Sequence, residues 1–157
     1  AALKKTRNDF VVLVVGDGHL RKELEEMSKS LGVEDVVEFT GFIKGAAETV
    51  LPVFDIFIQT SLWEAMSMVI REAMACSKPV IATDVGDNGH VIADGVTGLL
   101  CPRDVRKMLA ALEFLVRRPE LRVQMGVKAR ARYLKEFSSE TMTRNYEKLY
   151  AEACGAG

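Results

Sequence analysis

Apolar positions along the chain follow two alternating rhythms. Short β-branched runs end in glycine or small polar residues, and most lead into a stretch whose apolar residues recur three and four positions apart. The first run, FVVLVVGDG after Asp9, predicts a buried parallel strand entering a tight turn. GHLRKELEEMSKSL, over 18–31, carries Leu20, Leu24, Met27 and Leu31 at helical spacing and is closed by Gly32. A short strand over 36–41, a short helix near 46–51 and a third strand over 55–61 come next. Residues 67–76 predict a helix, 79–83 a strand, 88–93 a helical turn and 97–101 a further strand. From 103 onward the pattern is helical. Val105, Met108, Leu109, Leu112, Leu115 and Val116 make one apolar stripe, and Pro119 opens a helix to about Phe137. Ser138 and Ser139 then cap a last helix with Met142, Tyr146, Leu149 and Tyr150 on one face.

Strands alternating with helices predict an α/β fold, a Rossmann-like doubly wound parallel sheet. The expectation is a single domain over 1–157, with C-terminal helices from 103 to 154. Hydrophobic residues make up 48% and charged residues 27%, ordinary for a globular chain. A formal net charge of -1 gives no electrostatic case for nucleic acid or an anionic membrane surface, although it is compatible with peripheral membrane association of a full-length protein. Cys76, Cys101 and Cys154 have no metal-ligand spacing. No signal-peptide pattern is evident, and no apolar run approaches the roughly 20 residues that span a bilayer. The expected compartment is the cytoplasm, extending to the inner face of the membrane.

In open parallel sheets, ligands sit beyond the carboxyl ends of the strands. The loops there hold Gly16-Asp17-Gly18, Thr40-Gly41, Thr60-Ser61 and Thr83 to Gly89. Such residues admit a ligand to the backbone, and they are equally what tight turns require. GDGHLR begins like a dinucleotide loop, but Arg21 stands where its third glycine belongs, which disfavours a dinucleotide-dependent oxidoreductase. His19 and His90 have no second ligand at metal spacing, and no D-x-D is present, so neither a metal nor another cofactor is expected.

The stretch WEAMSMVIREAMACSKPVIATD, over 63–84, is more informative. It sets Glu64 and Glu72 into an apolar run with seven residues between them. Ser67 is placed to N-cap the helix that follows, leaving the N–H groups of Met68 to Ile70 at a positive helix end suited to phosphate. A carboxylate ahead of that end and another behind it can each accept hydroxyl hydrogens, and a diol fits a carboxylate in a bidentate way. Together these features suggest a nucleotide-sugar.

The chain resembles the C-terminal, nucleotide-sugar-binding domain of the group 1 (family 4) retaining glycosyltransferases of the GT-B fold. LVVGDGHLRKEL, VVEFTGFI, FDIFIQTSLWEAMSMVIREAMACSKPVIATDVG, DGVTGLLCP and KEFSSETMTRNYEKLY carry the resemblance, in order, over nearly the whole chain. By that resemblance Glu64 is the first glutamate of the family's E-x7-E segment, near the donor sugar and assigned the catalytic role. Glu72 holds the ribose, and Ser67, Met68 and Val69 form the phosphate-binding turn. Gly16 lies close to the phosphates, with Phe42 and Ile43 near the base. The family transfers a sugar with retention, generally without a metal, and takes part in building polysaccharides and related glycans.

This chain departs from the family pattern at several places. Ala65 and Ser67 stand where glycines are usual, and Ser77 replaces a glycine at a helix C-cap, at a cost of about 1 kcal/mol if that position is left-handed. Asp87, Gly89 and His90 replace a glycine, a proline and a glutamate. The family's diphosphate-gripping Arg and Lys have no counterpart here, and Lys4, Lys5 and Arg7 do not match their pattern. The expectation is the donor-binding part of a larger enzyme whose N-terminal acceptor domain is a necessary partner, so that this chain alone is inactive. The competing reading is a non-catalytic nucleotide-sugar-binding module of the same fold.

Overall fold

The computed structural model describes residues 1–155. Their contacts divide the chain into two compact units, Ala1–Thr49 and a second from Val50 onward.

In the first unit, a 3-10 turn over Leu3–Lys5 precedes strand β1 (Val12–Val15), helix α1 (Arg21–Ser30), strand β2 (Val37–Gly41) and a helical turn, α2 (Ala46–Thr49). β1 and β2 pair in parallel with Val12 opposite Val37, and the register shifts between Val14 and Val15. Lys4 donates to the Gly32 carbonyl at 2.7 Å and pairs with the Asp35 carboxylate, which closes the turn after α1. Burial is thinner than the apolar runs predict. Val11 is 66% exposed, and Leu20, Leu24, Met27 and Leu31, the stripe of α1, are all exposed. A two-stranded ladder offers too little surface to cover both a β-branched strand and a helix face.

In the second unit a 3-10 turn over Leu51–Val53 leads to β3 (Phe57–Gln59), α3 (Met68–Ala75), β4 (Val80–Thr83) and α4 (Asn88–Val91). β5 (Gly98–Cys101) and three long helices follow, α5 (Val105–Val116), α6 (Pro119–Glu136) and α7 (Ser139–Ala153). The ladder is parallel in the order β3-β4-β5. Its central strand is buried at every position, as a strand covered on both faces must be. Ile81, Cys101, Leu115 and Met125 form the core, with Ile56, Leu99, Met108 and Leu112 packed around them. Burial, with the nearby Asp94 carboxylate, pushes the Cys101 thiol up, so it packs as a small neutral apolar group.

Caps set the ends of these helices. Asp104 accepts from the N–H groups of Arg106 and Lys107 at 2.7 and 3.2 Å, and Ser138 accepts from Thr141 at 3.2 Å. The apolar stripe of α5 starts one turn later than the sequence predicts, because Val105 is 84% exposed. α3 closes in a Schellman arrangement. Ser77 donates to the Met74 carbonyl at 3.0 Å, Lys78 donates to the Ala73 carbonyl at 2.9 Å, and Ser77 itself sits at φ 58°. α6 crosses directly beneath that turn. A Cβ on Gly126 would lie 2.0 Å from the Ser77 carbonyl oxygen, and Arg130 donates to the Ala75 carbonyl. Among the described residues no helix is long and apolar enough to cross a membrane.

Candidate functional site

The segment that joins β3 to α3 carries most of the predicted site. Ser67 adopts φ −65°, ψ 118°, so it sits outside the helix while its Oγ accepts from the Ile70 N–H at 3.4 Å. It is the predicted N-cap, and it is buried. Met68 and Val69, the first two helical residues, are exposed. N–H groups at this end lack intrahelical acceptors, and no acidic residue stands in the first turn to offset the positive end.

Glu64 is half-buried, and its Oε1 is held twice, by Ser61 Oγ at 2.6 Å and Gln59 Nε2 at 3.0 Å. The same Gln59 nitrogen lies 3.0 Å from Ser67 Oγ. One carboxamide at the end of β3 therefore ties the glutamate to the helix cap. An ionised carboxylate only accepts, so the nitrogen must face it; the reversed amide would set oxygen against oxygen. That orientation leaves Gln59 Oε1 buried with no hydrogen-bond partner, which costs about 1–3 kcal/mol. Glu72 lies one turn inside α3 and is half-buried. Arg71 reaches back toward the helix start, as helical side chains do, with Nη2 2.6 Å from Met68 Sδ and Nε 3.4 Å from the Ser67 carbonyl. A cation there opposes the helix dipole.

The loop after β4 is seated against this segment. Thr83 Oγ1 donates to the Ser61 carbonyl at 2.7 Å, and the Asp87 N–H donates to the Ala65 carbonyl at 3.2 Å. Gly86, at φ 51°, presses so closely that an added Cβ would lie 1.6 Å from the Glu64 carbonyl oxygen. Asn88 is fully buried and donates to the Thr83 carbonyl at 2.9 Å. His90 packs edge-on to Phe137, ring centroids 6.2 Å apart, and its carbonyl accepts from Arg132 at 2.8 Å. Its ring thus turns toward the end of α6.

Three of the predicted site residues belong to the first unit. Gly16 has φ 129°, with open space where a Cβ would point. It lines a depression of about 420 Å³ with Asp17, Gly18, Leu20, Arg21 and Phe39. Arg21 donates to the Phe39 carbonyl at 3.0 Å and to Glu25 at 2.8 Å, filling the room that a dinucleotide loop would keep free with a glycine. Phe42, beyond β2, is 80% exposed, and Ile43 is half-buried. The other five, Glu64, Ser67, Met68, Val69 and Glu72, lie in the second unit. Among them Gln59 links Glu64 to Ser67. Among the described residues no three His, Cys, Asp or Glu side chains gather as a metal-ligand set.

Sequence reasoning passed over Gln59 and Arg71. Each left a trace, a long amide closing the strand run DIFIQ and a cation in the opening turns of a helix.

A family model described as glycosyl transferases group 1 matches residues 1–132. The chain is 36% identical over 146 residues to N-acetyl-alpha-D-glucosaminyl L-malate synthase of Bacillus anthracis, covering 92% of this chain and 38% of that protein. It is 31% identical over 131 residues to alpha-D-kanosaminyltransferase of Streptomyces kanamyceticus, covering 82% of this chain and 34% of the relative. The crystal structure of Anabaena HepE in complex with UDP superimposes with a TM-score of 0.88 at 25% identity, over 96% of this chain and 43% of that one. The chain thus spans well under half the length of these proteins. With a match that extends over most of its residues, the chain belongs to the group 1 glycosyltransferases.

Proposed function

We propose that this chain is the donor-binding part of a glycosyltransferase that moves a sugar from a nucleoside-diphosphate sugar to an acceptor hydroxyl with retention of configuration. The observation that carries the reading is the position of Glu64, fixed by Ser61 and Gln59 beside the capped start of α3. The donor diphosphate lies against the N–H groups of Ser67, Met68 and Val69, where the helix end stabilises negative charge. Glu72 accepts from the ribose hydroxyls, and Gly16, Phe42 and Ile43 serve the phosphates and the base. UDP is the favoured nucleotide, because HepE was crystallised with UDP and with UDP-glucose.

In transfer, the bond between the anomeric carbon and the diphosphate oxygen breaks, and its electron pair leaves with the nucleoside diphosphate. The acceptor oxygen bonds to the anomeric carbon from the same face, and its proton passes to the departing phosphate oxygen. Glu64 acts electrostatically on the cationic sugar. No metal is needed in this scheme, since helix-end amides and basic side chains carry the developing charge. The acceptor is held by a partner N-terminal domain of the same protein, which works in the cytoplasm, with peripheral attachment to the inner face of the membrane in reach.

The test is a heteronuclear NMR titration of this chain with UDP, GDP, ADP and their glucose and mannose conjugates, beside Glu72→Ala. Shifts at 64–72 and 16–18 that the substitution abolishes are the expected result. Shifts that Glu72→Ala leaves intact would remove the ribose role. The departures at Ala65, Ser67, Asp87 and His90, with Asp87 adding a negative charge to the loop seated on Ala65, favour a second reading as a non-catalytic nucleotide-sugar-binding module. Binding without transfer or hydrolysis by a full-length protein separates that reading from the first.

A further inference from the structure

We propose that Gln59 is a positioning residue for Glu64: a carboxamide at the end of β3 that holds the Glu64 carboxylate and the Ser67 cap in one register. The proposal rests on the reading of the site as a sugar-transfer centre.

Three observations support it. The residues before Gln59 in β3, Phe57 and Ile58, are apolar, and an apolar side chain at 59 would spare the strand a buried, unpartnered Oε1. What offsets that orphan is the nitrogen, which serves Glu64 and Ser67 together at 3.0 Å each. Second, the orientation is forced, since only a donor can face the carboxylate. Third, Ser61 reaches the same Oε1 at 2.6 Å, so this oxygen carries both donors. A carboxylate oxygen held by two donors, one at the end of β3 and one in the loop that follows it, keeps its position while a substrate enters and leaves.

The amide also links the glutamate to the helix end. Ser67 caps α3, and the first turn of α3 is where the leaving diphosphate is stabilised. Gln59 therefore sets the spacing between the group that faces the sugar and the group that faces the leaving phosphates. Transfer is sensitive to that spacing, because a misplacement of about 1 Å can cost on the order of 100-fold in rate.

The experiment uses the full-length enzyme with UDP-glucose as probe, following UDP release, in wild type, Gln59→Leu and Gln59→Glu. Gln59→Leu is expected to lower kcat by about 10–100-fold while KM for UDP-glucose changes by less than about 3-fold, because the diphosphate and ribose contacts remain. Gln59→Glu sets two carboxyl groups about 3 Å apart, which hold one proton between them at the lower end of the pH range. Protonated, the pair restores the donor to Glu64. Its kcat is therefore expected to rise toward wild type as pH falls, and to drop steeply as pH rises and the shared proton is lost, unlike the wild-type profile. Thermal melting of both variants in this chain provides the folding check. An active wild type with Gln59→Leu within about 2-fold in kcat would overturn the positioning role alone. Parallel losses in kcat, KM and melting temperature, with no rescue of Gln59→Glu at low pH, would reduce Gln59 to a structural residue and overturn it too. A wild type that releases no nucleoside diphosphate from any of the UDP, GDP and ADP conjugates of glucose and mannose would sink the transfer reading, and this proposal with it.

Discussion

Ser77 carries a strain that a single substitution should release. The residue sits at φ 58°, closing α3 with both Schellman hydrogen bonds intact. Its Cβ is what the left-handed region penalises, by about 1–2 kcal/mol relative to glycine. Ser77→Gly removes that penalty, while the more flexible unfolded chain takes back about 0.4–1 kcal/mol. Taking the middle of both ranges, the expected net gain is about 0.8 kcal/mol, a rise of roughly 2–3 °C in melting temperature for a chain of this size. Nothing else at the site need change: the Ser77 carbonyl still meets Gly126, and Arg130 still reaches Ala75. Ser77→Ala is the control, because alanine keeps the Cβ and the strain. Urea unfolding followed by circular dichroism, at unchanged slope, reads both variants on one scale. If Ser77→Gly is no more stable than Ser77→Ala, the strain argument is wrong.

Gly86→Ala should be destructive where Ser77→Gly is helpful. Its Cβ would meet the Glu64 carbonyl at 1.6 Å from a positive φ, so the loop must move, at about 2–4 kcal/mol when strain and overpacking are combined. Amide shifts over 61–67 should accompany the loss, and a cost below about 1 kcal/mol would contradict the close seating. Glu140, in the first turn of α7, is held below the usual carboxylate range by its own backbone N–H and by the Ser138 hydroxyl. A lowered folded value means that its contribution is present above the ordinary glutamate pKa and fades as pH falls through the lowered one. A carbon-detected NMR titration should therefore find Glu140 at a lower midpoint than in an unfolded peptide, and an ordinary midpoint would refute the interaction.

Local physics made much of this fold legible in the sequence. The order of strands and helices followed from two periodicities, and the N-caps at Ser67 and Ser138 from their place before apolar runs. The left-handed turn at Ser77 was legible only through the family resemblance, in which a glycine holds that helix C-cap. What the sequence hid was tertiary. Periodicity marks the apolar face of a helix without saying what covers it, so Val105 and the α1 stripe were expected inside and lie outside. In the candidate site, Glu64 and Glu72 stood out because carboxylates are rare in apolar runs. Gln59 gave no comparable sign, since its partners lie five and eight residues on, across a loop whose path no spacing rule supplies. Nor could Gly86 be matched to Glu64, because their contact depends on how the loop after β4 returns over the loop after β3.

That contact has a consequence for anyone who would re-engineer these loops. With Gly86 against the Glu64 carbonyl, Asp87 hydrogen-bonded to Ala65 and Thr83 to Ser61, the segments 61–67 and 83–88 are complementary halves of a single mould. A segment transplanted from a relative would arrive shaped to the loop it left behind. Grafts should therefore exchange both segments together, and chimaeras that swap only one will misfit at the carbonyl of residue 64.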